Sequence, residues 1–568
     1  MPAVIDRAAE RRRRLIHRAV PALGAMALVA LAAGLAVGSL AGSNAERTAD
    51  AFARAWARDD YGRMHRLLTA DAADRYSPAA FGRAYRRAAA TATARVVVPG
   101  DPDGEEAGRV RVPVELRTRV FGTIRGEVRL PVEDGRVAWD PSLVFPGLPG
   151  GATLARRSEA PRRAKILSRD GKTLARGPAG ARTSPPGEVA SSVAGRVAPA
   201  ESSGEREALY ARGFPRDQPV GETGLERAFE QGLAGRPGGE LLAGRRVIAR
   251  AEPRPGTTVR STIDTRLQEA AAAALAGRLG GVAALDARTA EVRALAGIAF
   301  SGPQPPGSTF KLVTTTAALE ANAVTPATRF PVETKAVIDG VPLENANGEA
   351  CGGDFANSFA ESCNSVFAPL GVKVGAERLV DAAERYGFNQ PATIPGEARS
   401  TLPAAGEIVS PLEVGSTAIG QGKVLATPLE LASISQTIAA GGVRNLPTLD
   451  AAARRPKPVR VTSRRVARTL RRLMLGVVSF GTGTSAAIPG VRVAGKTGTA
   501  ELEDTRGPRA GQKPPGSDPS NTDAWFTAFA PADRPSIAVA ALFVRAGAGG
   551  QTAAPAARVV LARALGKG

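Results

Sequence analysis

The sequence predicts a multidomain α+β protein with an N-terminal membrane-spanning helix, and three observations carry that reading. At 568 residues the chain is too long for one hydrophobic core, so roughly two to four domains are expected. Its patterning changes abruptly near residues 44, 151 and 256. In the last section alternating strands are interleaved with helical stretches, the pattern of an antiparallel sheet clothed by helices.

In chain order, residues 1–18 form a basic tail containing Arg11-Arg12-Arg13-Arg14 and Arg18. Residues 19–43 are uncharged and rich in Ala and Leu, a stretch long enough to cross a bilayer as a helix. The arginines before it predict a cytoplasmic N-terminus and an exported body. A cleaved signal peptide is the competing reading, because small residues lie in Leu40-Ala41-Gly42-Ser43-Asn44-Ala45; the length of the apolar stretch favours an anchor. No cysteine follows it, so lipid anchoring at that point is excluded. In residues 44–150, Ala49, Phe52, Ala53 and Trp56 recur at helical spacing, and Tyr61, Met64, Leu67 and Leu68 continue the apolar face. Strand alternation follows in Val110, Val112, Val114 and Leu116, and again in Val128, Leu130 and Val132. Residues 151–255 are rich in Gly, Pro and Arg and would read as a linker but for a strand-turn-strand signal from Ala164 to Leu174. Residues 256–568 open with Thr262-Ile263-Asp264 and a helix over Arg266 to Leu275. A hairpin pairs Val282 to Leu285 with Val292 to Ala296, and two late strands run over Trp525 to Ala530 and Ser536 to Val544.

Composition removes several kinds of chemistry. The only histidines are His17 and His65, so the C-terminal half can hold no Ser-His-Asp triad, Cys-His pair or histidine-ligated metal. Two cysteines, Cys351 and Cys363, are too few for a four-sulfur zinc site. Both lie on the side expected to be exported, where a disulfide would persist, and a buried free thiol at Cys363 is the alternative. The net charge of +21 is spread along the chain without interleaved Arg and aromatic residues, so no nucleic-acid partner is expected.

Of the 75 basic residues only ten are lysine, yet two of these stand in Ser308-Thr309-Phe310-Lys311 and Lys496-Thr497-Gly498-Thr499. Arginine is charged at any working pH, whereas a desolvated lysine can lose its proton and act as a base. Ser308 follows Pro305-Pro306-Gly307 at a predicted helix N-terminus, and Lys311, three residues on, shares its face. Such a terminus directs unpaired N–H groups toward developing negative charge. A serine hydroxyl needs a base to become a nucleophile, and without histidine Lys311 is the nearest candidate. Ser362-Cys363-Asn364 supplies a hydroxyl and an amide where a helix begins or is interrupted. Lys496 to Thr499 reads as a strand with Gly498 where something must approach the backbone, and a substrate peptide can add to such an edge.

These three segments, in this order and with Gly420-Gln421-Gly422 and Thr427-Pro428-Leu429-Glu430 between them, resemble the motif set of class B penicillin-binding proteins. The resemblance covers roughly residues 150–560. It implies a β-lactamase-like transpeptidase fold for 256–568 and an extended non-catalytic pedestal for 151–255, where Gly221-Glu222-Thr223-Gly224-Leu225-Glu226 is a second signature. Ser168 stands where the family usually has aspartate. Residues 44–150 resemble the nuclear-transport-factor-2-like domain of the methicillin-resistance type. The implied activity is D,D-transpeptidation of peptidoglycan stem peptides ending in D-alanyl-D-alanine, with β-lactams as inhibitors and no cofactor or metal. Residue by residue, the resemblance makes Ser308 the acylated nucleophile and Lys311 its base, with Ser362 and Asn364 completing the proton and substrate contacts. Lys496, Thr497 and Thr499 receive the substrate carboxylate, Gly498 is counted with them among the substrate-binding residues, and the backbone N–H groups of Ser308 and Thr499 hold the oxyanion. A polytopic membrane glycan polymerase is the implied partner. The connection from Gly297 to Ser308 is shorter than the family commonly has, which predicts a different cleft mouth.

A serine β-lactamase or β-lactam sensor shares these motifs, but no Glu-x-x-x-Asn pairing between Ser362 and Lys496 offers a water-activating base. An inert cell-wall scaffold is the other reading, against which the motifs are complete. The Gly/Pro-rich segment from Arg506 to Ser520 is placed over the cleft, with a disordered insertion as the alternative. Gly481-Thr482-Gly483-Thr484-Ser485-Ala486 fits a dinucleotide fingerprint, with Glu501 at the expected distance. Its context refuses that role, because a helical stretch from Arg464 to Val478 precedes it where a strand is required and Pro489 ends any helix after it.

Overall fold

A computed structural model describes residues 43–185, 188–502 and 519–567. The proposed anchor, apart from Ser43, lies outside these residues, as does the 506–520 segment apart from Pro519 and Ser520. No helix among the described residues is long and apolar enough to cross a membrane. The chain divides into two compact units, and residues 151–255 are shared between them.

The first unit comprises the chain up to Pro161 with Ala200–Gln218 and Arg236–Arg254. Helix α1 (Asn44–Trp56) begins with a capping box in which Ser43 and Glu46 satisfy each other's backbone N–H groups. Helix α2 (Pro78–Ala92) has Pro at its first position, where a missing N–H costs nothing. Both pack on an antiparallel sheet led by β1 (Ala94–Pro99), β2 (Arg109–Thr118) and β3 (Thr123–Glu133). The expected alternation on β2 holds, with Val110, Val112, Val114 and Leu116 buried against Phe52, Trp56, Phe81 and Tyr85. Two polar ends buried there are paired, Trp139 Nε1 donating to Tyr85 Oη and Tyr85 Oη to the Leu143 carbonyl. A second small sheet joins β4 (Leu154–Glu159), β5 (Gly238–Ala243) and β6 (Arg246–Ala251).

The second unit holds Arg162–Pro199, Pro219–Gly235 and everything from Pro255. The strand-turn-strand phrase forms as expected, Ile166–Leu167 pairing with Thr173–Ala175. Ser168 closes its turn by donating to Asp170 and accepting from the Lys172 N–H, so a hydroxyl serves where a carboxylate was expected. Three separate stretches of this part are tied by buried charges. The Glu226 carboxylate accepts from Arg163 Nε at 2.8 Å and Arg182 Nε at 2.6 Å, and Arg163 also reaches Glu230.

Further along, Asp264 caps α3 (Thr265–Leu275) by accepting from the Arg266 and Leu267 N–H groups. The five-stranded antiparallel sheet runs β8 (Val292–Gly297), β7 (Gly280–Asp286), β12 (Ile537–Phe543), β11 (Thr522–Ala530), β10 (Ala494–Glu501). Its central strands are buried throughout, because α3 and α9 (Gly549–Ala564) contribute to the apolar core on one face. The other face meets α4 (Lys311–Glu320) and α7 (Pro428–Ala439) in the larger core. β10 is an edge strand, and it carries Lys496 to Thr499.

Candidate active site

Ser308 sits on a 3₁₀ turn, Gly307–Phe310, that leads directly into α4. Residues three apart eclipse in a 3₁₀ turn, so Ser308 and Lys311 share a face more strictly than on the α-helix expected. The short connection before the turn is pinned at several points. Gln304 and Ala426 exchange backbone hydrogen bonds of 2.9 Å, Trp525 Nε1 donates to the Pro305 carbonyl at 2.8 Å, and the Gly307 N–H donates to Gly420. Gly498 is the reason the turn can lie on the strand: a Cβ there would stand 2.8 Å from the Pro306 carbonyl and 2.9 Å from Thr309 Cγ2. The close approach foreseen at this glycine is thus made by the chain's own serine turn.

Lys311 is fully buried. Its amine donates to the Ser362 carbonyl at 2.6 Å and Asn364 Oδ1 at 2.7 Å, and lies 3.3 Å from Ser362 Oγ. Among the described residues its hydrogen bonds go to the Ser362 segment and not to Ser308. Two firm acceptors match the two N–H groups of a neutral amine and leave its lone pair for a hydroxyl. Lys496 is equally buried, and it donates to Ser362 Oγ at 2.8 Å and to the Thr497 carbonyl at 3.1 Å. Ser362 Oγ therefore lies between two amines. Burial, reinforced by Lys496, holds Lys311 well below the usual lysine range. Burial also pushes Lys496 down to about 7, against an opposing pull from Glu361.

The Ser362 segment takes this shape at a helix end. Helix α5 (Phe355–Ala360) terminates with Ser362 at φ 63°, the left-handed region normally given to glycine at this position. Its N–H donates to Phe359 and that of Cys363 to Ser358, which closes the end and turns the Ser362 carbonyl toward Lys311. Helix α6 (Asn364–Val374) starts immediately afterwards. Asn364 Nδ2 donates to the Glu344 carbonyl, and this fixes Oδ1 toward Lys311. Cys363 is disulfide-bonded to Cys351 on β9 (Cys351–Asp354), with Cα atoms 5.7 Å apart, so the free-thiol alternative does not hold.

On β10, Thr497 Oγ1 lies 2.6 Å from Thr482 Oγ1, and Thr499 Oγ1 accepts from the Gly549 N–H at the start of α9. Beyond Thr499, the Gln421 side-chain amide pairs with both backbone groups of Glu501, at 3.0 and 3.2 Å. All eight residues singled out in the sequence thus lie on the serine turn, at the first position of α4, on the Ser362 segment or on β10, linked by hydrogen bonds and packing. Sequence reasoning missed Thr482 and Trp525 as cleft residues, and it named Gln421 only within the Gly420-Gln421-Gly422 pattern, without a role. As expected, the helix α8 (Arg464–Ser479) precedes the glycine-rich stretch that carries Thr482.

The sequence matches the penicillin binding protein transpeptidase domain family over residues 280–562 and the penicillin-binding protein dimerisation domain family over 177–260. It is 34% identical over 417 residues to a peptidoglycan D,D-transpeptidase, PbpA, of Mycolicibacterium smegmatis, covering 61% of this chain and 80% of that protein. Among solved structures it is similar to the penicillin G acyl-enzyme complex of penicillin-binding protein A from M. tuberculosis. There the identity is 28%, the TM-score 0.57, and 72% of this chain and 100% of that chain are covered. It is also similar to Pseudomonas aeruginosa PBP2, with 26% identity, a TM-score of 0.59, and 71% and 96% covered. These matches, over the same residues that seat the serine turn on the edge strand, show that the chain belongs to the class B penicillin-binding proteins.

Proposed function

We propose that this protein is a serine D,D-transpeptidase that cross-links peptidoglycan stem peptides through an acyl-enzyme on Ser308. The observation that carries the assignment is the placement of Ser362 Oγ between two fully buried lysine amines beside the Ser308 turn. Ser308 Oγ attacks the carbonyl of the penultimate D-alanine, and its proton passes to neutral Lys311. Through Ser362 Oγ that proton reaches the departing D-alanine amine, and Asn364 keeps Lys311 in place. Lys496, Thr497 and Thr499 meet the terminal carboxylate, Gly498 admits the turn, and the N–H groups of Ser308 and Thr499 hold the oxyanion. An acceptor amine then attacks the ester and releases Ser308. A β-lactam follows the same first half, with its ring nitrogen as the leaving amine.

The charge states carry a pH dependence. Acylation by a carboxylate-bearing substrate is expected to rise with pH at the acid end as Lys311 loses its proton. It should fall above about 7 as Lys496 loses the charge that attracts the carboxylate. Stopped-flow acylation rates across neutral pH check this; a flat profile would contradict the two roles.

We also infer the parts beyond the site. Residues 19–43 anchor the chain as a single pass in the bacterial cell membrane, with the N-terminus cytoplasmic and the catalytic body on the outer face; the arginines at 11–14 support that orientation. Residues 44–150 are read as a nuclear-transport-factor-2-like domain, 151–255 as the pedestal and 256–568 as the transpeptidase domain. The helices α1 and α2 on their antiparallel sheet support the first of these. A polytopic glycan polymerase is the proposed partner.

The deciding experiment follows the fate of the acyl-enzyme. A labelled penicillin should remain bound for many minutes, and no label should form on Ser308→Ala. With a thioester substrate, an added D-amino acid should shorten the acyl-enzyme lifetime far more than it alters its formation. Rapid loss of label in water with turnover of the drug would assign a β-lactamase instead, and absence of labelling an inert scaffold.

A further inference from the structure

The glycine-rich stretch that imitates a nucleotide fingerprint has a place in the cleft. Gly481 and Gly483 let it fold against its neighbours: a Cβ on Gly481 would stand 2.4 Å from the Ala360 carbonyl, and one on Gly483 would stand 3.0 Å from Val477 Cγ1. The exposed Thr482 is thereby set beside β10. Its N–H and its hydroxyl both donate to the Ala360 carbonyl, each at 3.1 Å, and its Oγ1 lies 2.6 Å from Thr497 Oγ1. Three residues on, the same stretch braces the start of α9, where Ser485 donates to Gly550.

Proton counting decides what this chain of hydroxyls can do. Each threonine hydroxyl has one proton. If that of Thr482 goes to the Ala360 carbonyl, the 2.6 Å contact requires Thr497 to be its donor. The Thr497 proton then faces Thr482, and an anion in the cleft would meet oxygen lone pairs. Thr499 differs, since it accepts from a backbone N–H, a donor that cannot reverse, and its own proton stays free. The Thr482 pair can reverse. When Thr482 turns its proton to Thr497, Thr497 can turn its own to a carboxylate, and the Ala360 carbonyl keeps the Thr482 N–H, so no buried group is stranded.

We propose that Thr482 is a positioning residue whose hydroxyl reverses direction on substrate binding and so makes Thr497 a donor to the substrate carboxylate. The proposal rests on the reading of Thr497 as a carboxylate contact. It makes recognition of that carboxylate depend on a side chain outside all three motifs.

The test uses the full-length chain with N-benzoyl-D-alanyl-thioglycolate, which carries a carboxylate, and with its methyl ester, which does not. Without the Thr482 hydroxyl nothing turns the Thr497 proton toward the carboxylate, so Thr482→Val should lower kcat/KM for acylation by the acid about three- to ten-fold, as expected for one hydrogen bond. The same variant should leave the ester within about twofold, and Thr482→Ala should repeat the pattern. Thr482→Ser should restore the acid rate. Equal losses for acid and ester, or no loss with either, would overturn the proposal. Thr497→Val separates the two layers. If it leaves the acid-to-ester ratio unchanged, the carboxylate reading falls and the relay with it. If it lowers the ratio while Thr482→Val does not, the relay alone falls.

Discussion

Lys311→Arg should lower the second-order rate of penicillin acylation by about 100-fold or more, the range expected when general-base help is lost. The amine is fully buried, and that burial, with Lys496 beside it, holds it well below the usual lysine range and favours the neutral form that carries a lone pair. A guanidinium keeps donors toward Ser362 and Asn364 but cannot give up its proton in a protein. Ser308 would then face a permanent cation where it needs a base. Labelling with a fluorescent penicillin over time measures the effect, and thermal unfolding of the same sample shows whether the fold has survived. Near-normal labelling would reject Lys311 as the base and leave Lys496, through Ser362, as the remaining amine.

The second large effect concerns stability. Glu226→Ala is expected to destabilise the second unit by about 3–5 kcal/mol, because it leaves the guanidinium groups of Arg163 and Arg182 buried without their shared carboxylate. The Arg163, Arg182 and Glu226 side chains are only 2%, 9% and 0% exposed, so water cannot replace the lost partner. Glu230 continues to hold Arg163, but among the described residues Arg182 retains only the Ala164 and Gly177 carbonyls. The unfolding transition followed by denaturant titration should move accordingly. Replacing all three residues by apolar side chains should recover much of the loss, because the cost lies in stranded charge and not in the missing bridge. A midpoint unchanged in Glu226→Ala would show that the arginines find other partners.

Much of the site was legible because its chemistry is local. Ser308 and Lys311 are one turn apart, Ser362 to Asn364 are contiguous, and Lys496 to Thr499 are contiguous on a strand, so residue type and order were enough to name them. The hairpin of β7 and β8 was legible for the same reason, since alternation and a short turn need no distant partner. The stretch 151–255 was harder. Its Gly, Pro and Arg content hides short strands, and the ion network joins Arg163, Arg182 and Glu226 across long sequence separations.

Residue types in order, by themselves, determined the α+β class, the absence of histidine chemistry in the C-terminal half, and the identity of the nucleophile and amine candidates. These follow from side-chain chemistry and from periods of two and 3.6 residues, which a single strand of text contains. Tertiary structure alone decided the rest. It put Ser362 in a left-handed conformation at a helix end with its hydroxyl between two amines, and it paired Cys363 with Cys351. It filled the space above Gly498 with the serine turn and carried Thr482 to Thr497. Each of these depends on where segments that are not adjacent in the chain meet, 12 residues apart for the cysteines and 134 for Lys496 and Ser362. Burial at such a meeting point is what removes water from Lys311 and Lys496 and changes their chemistry.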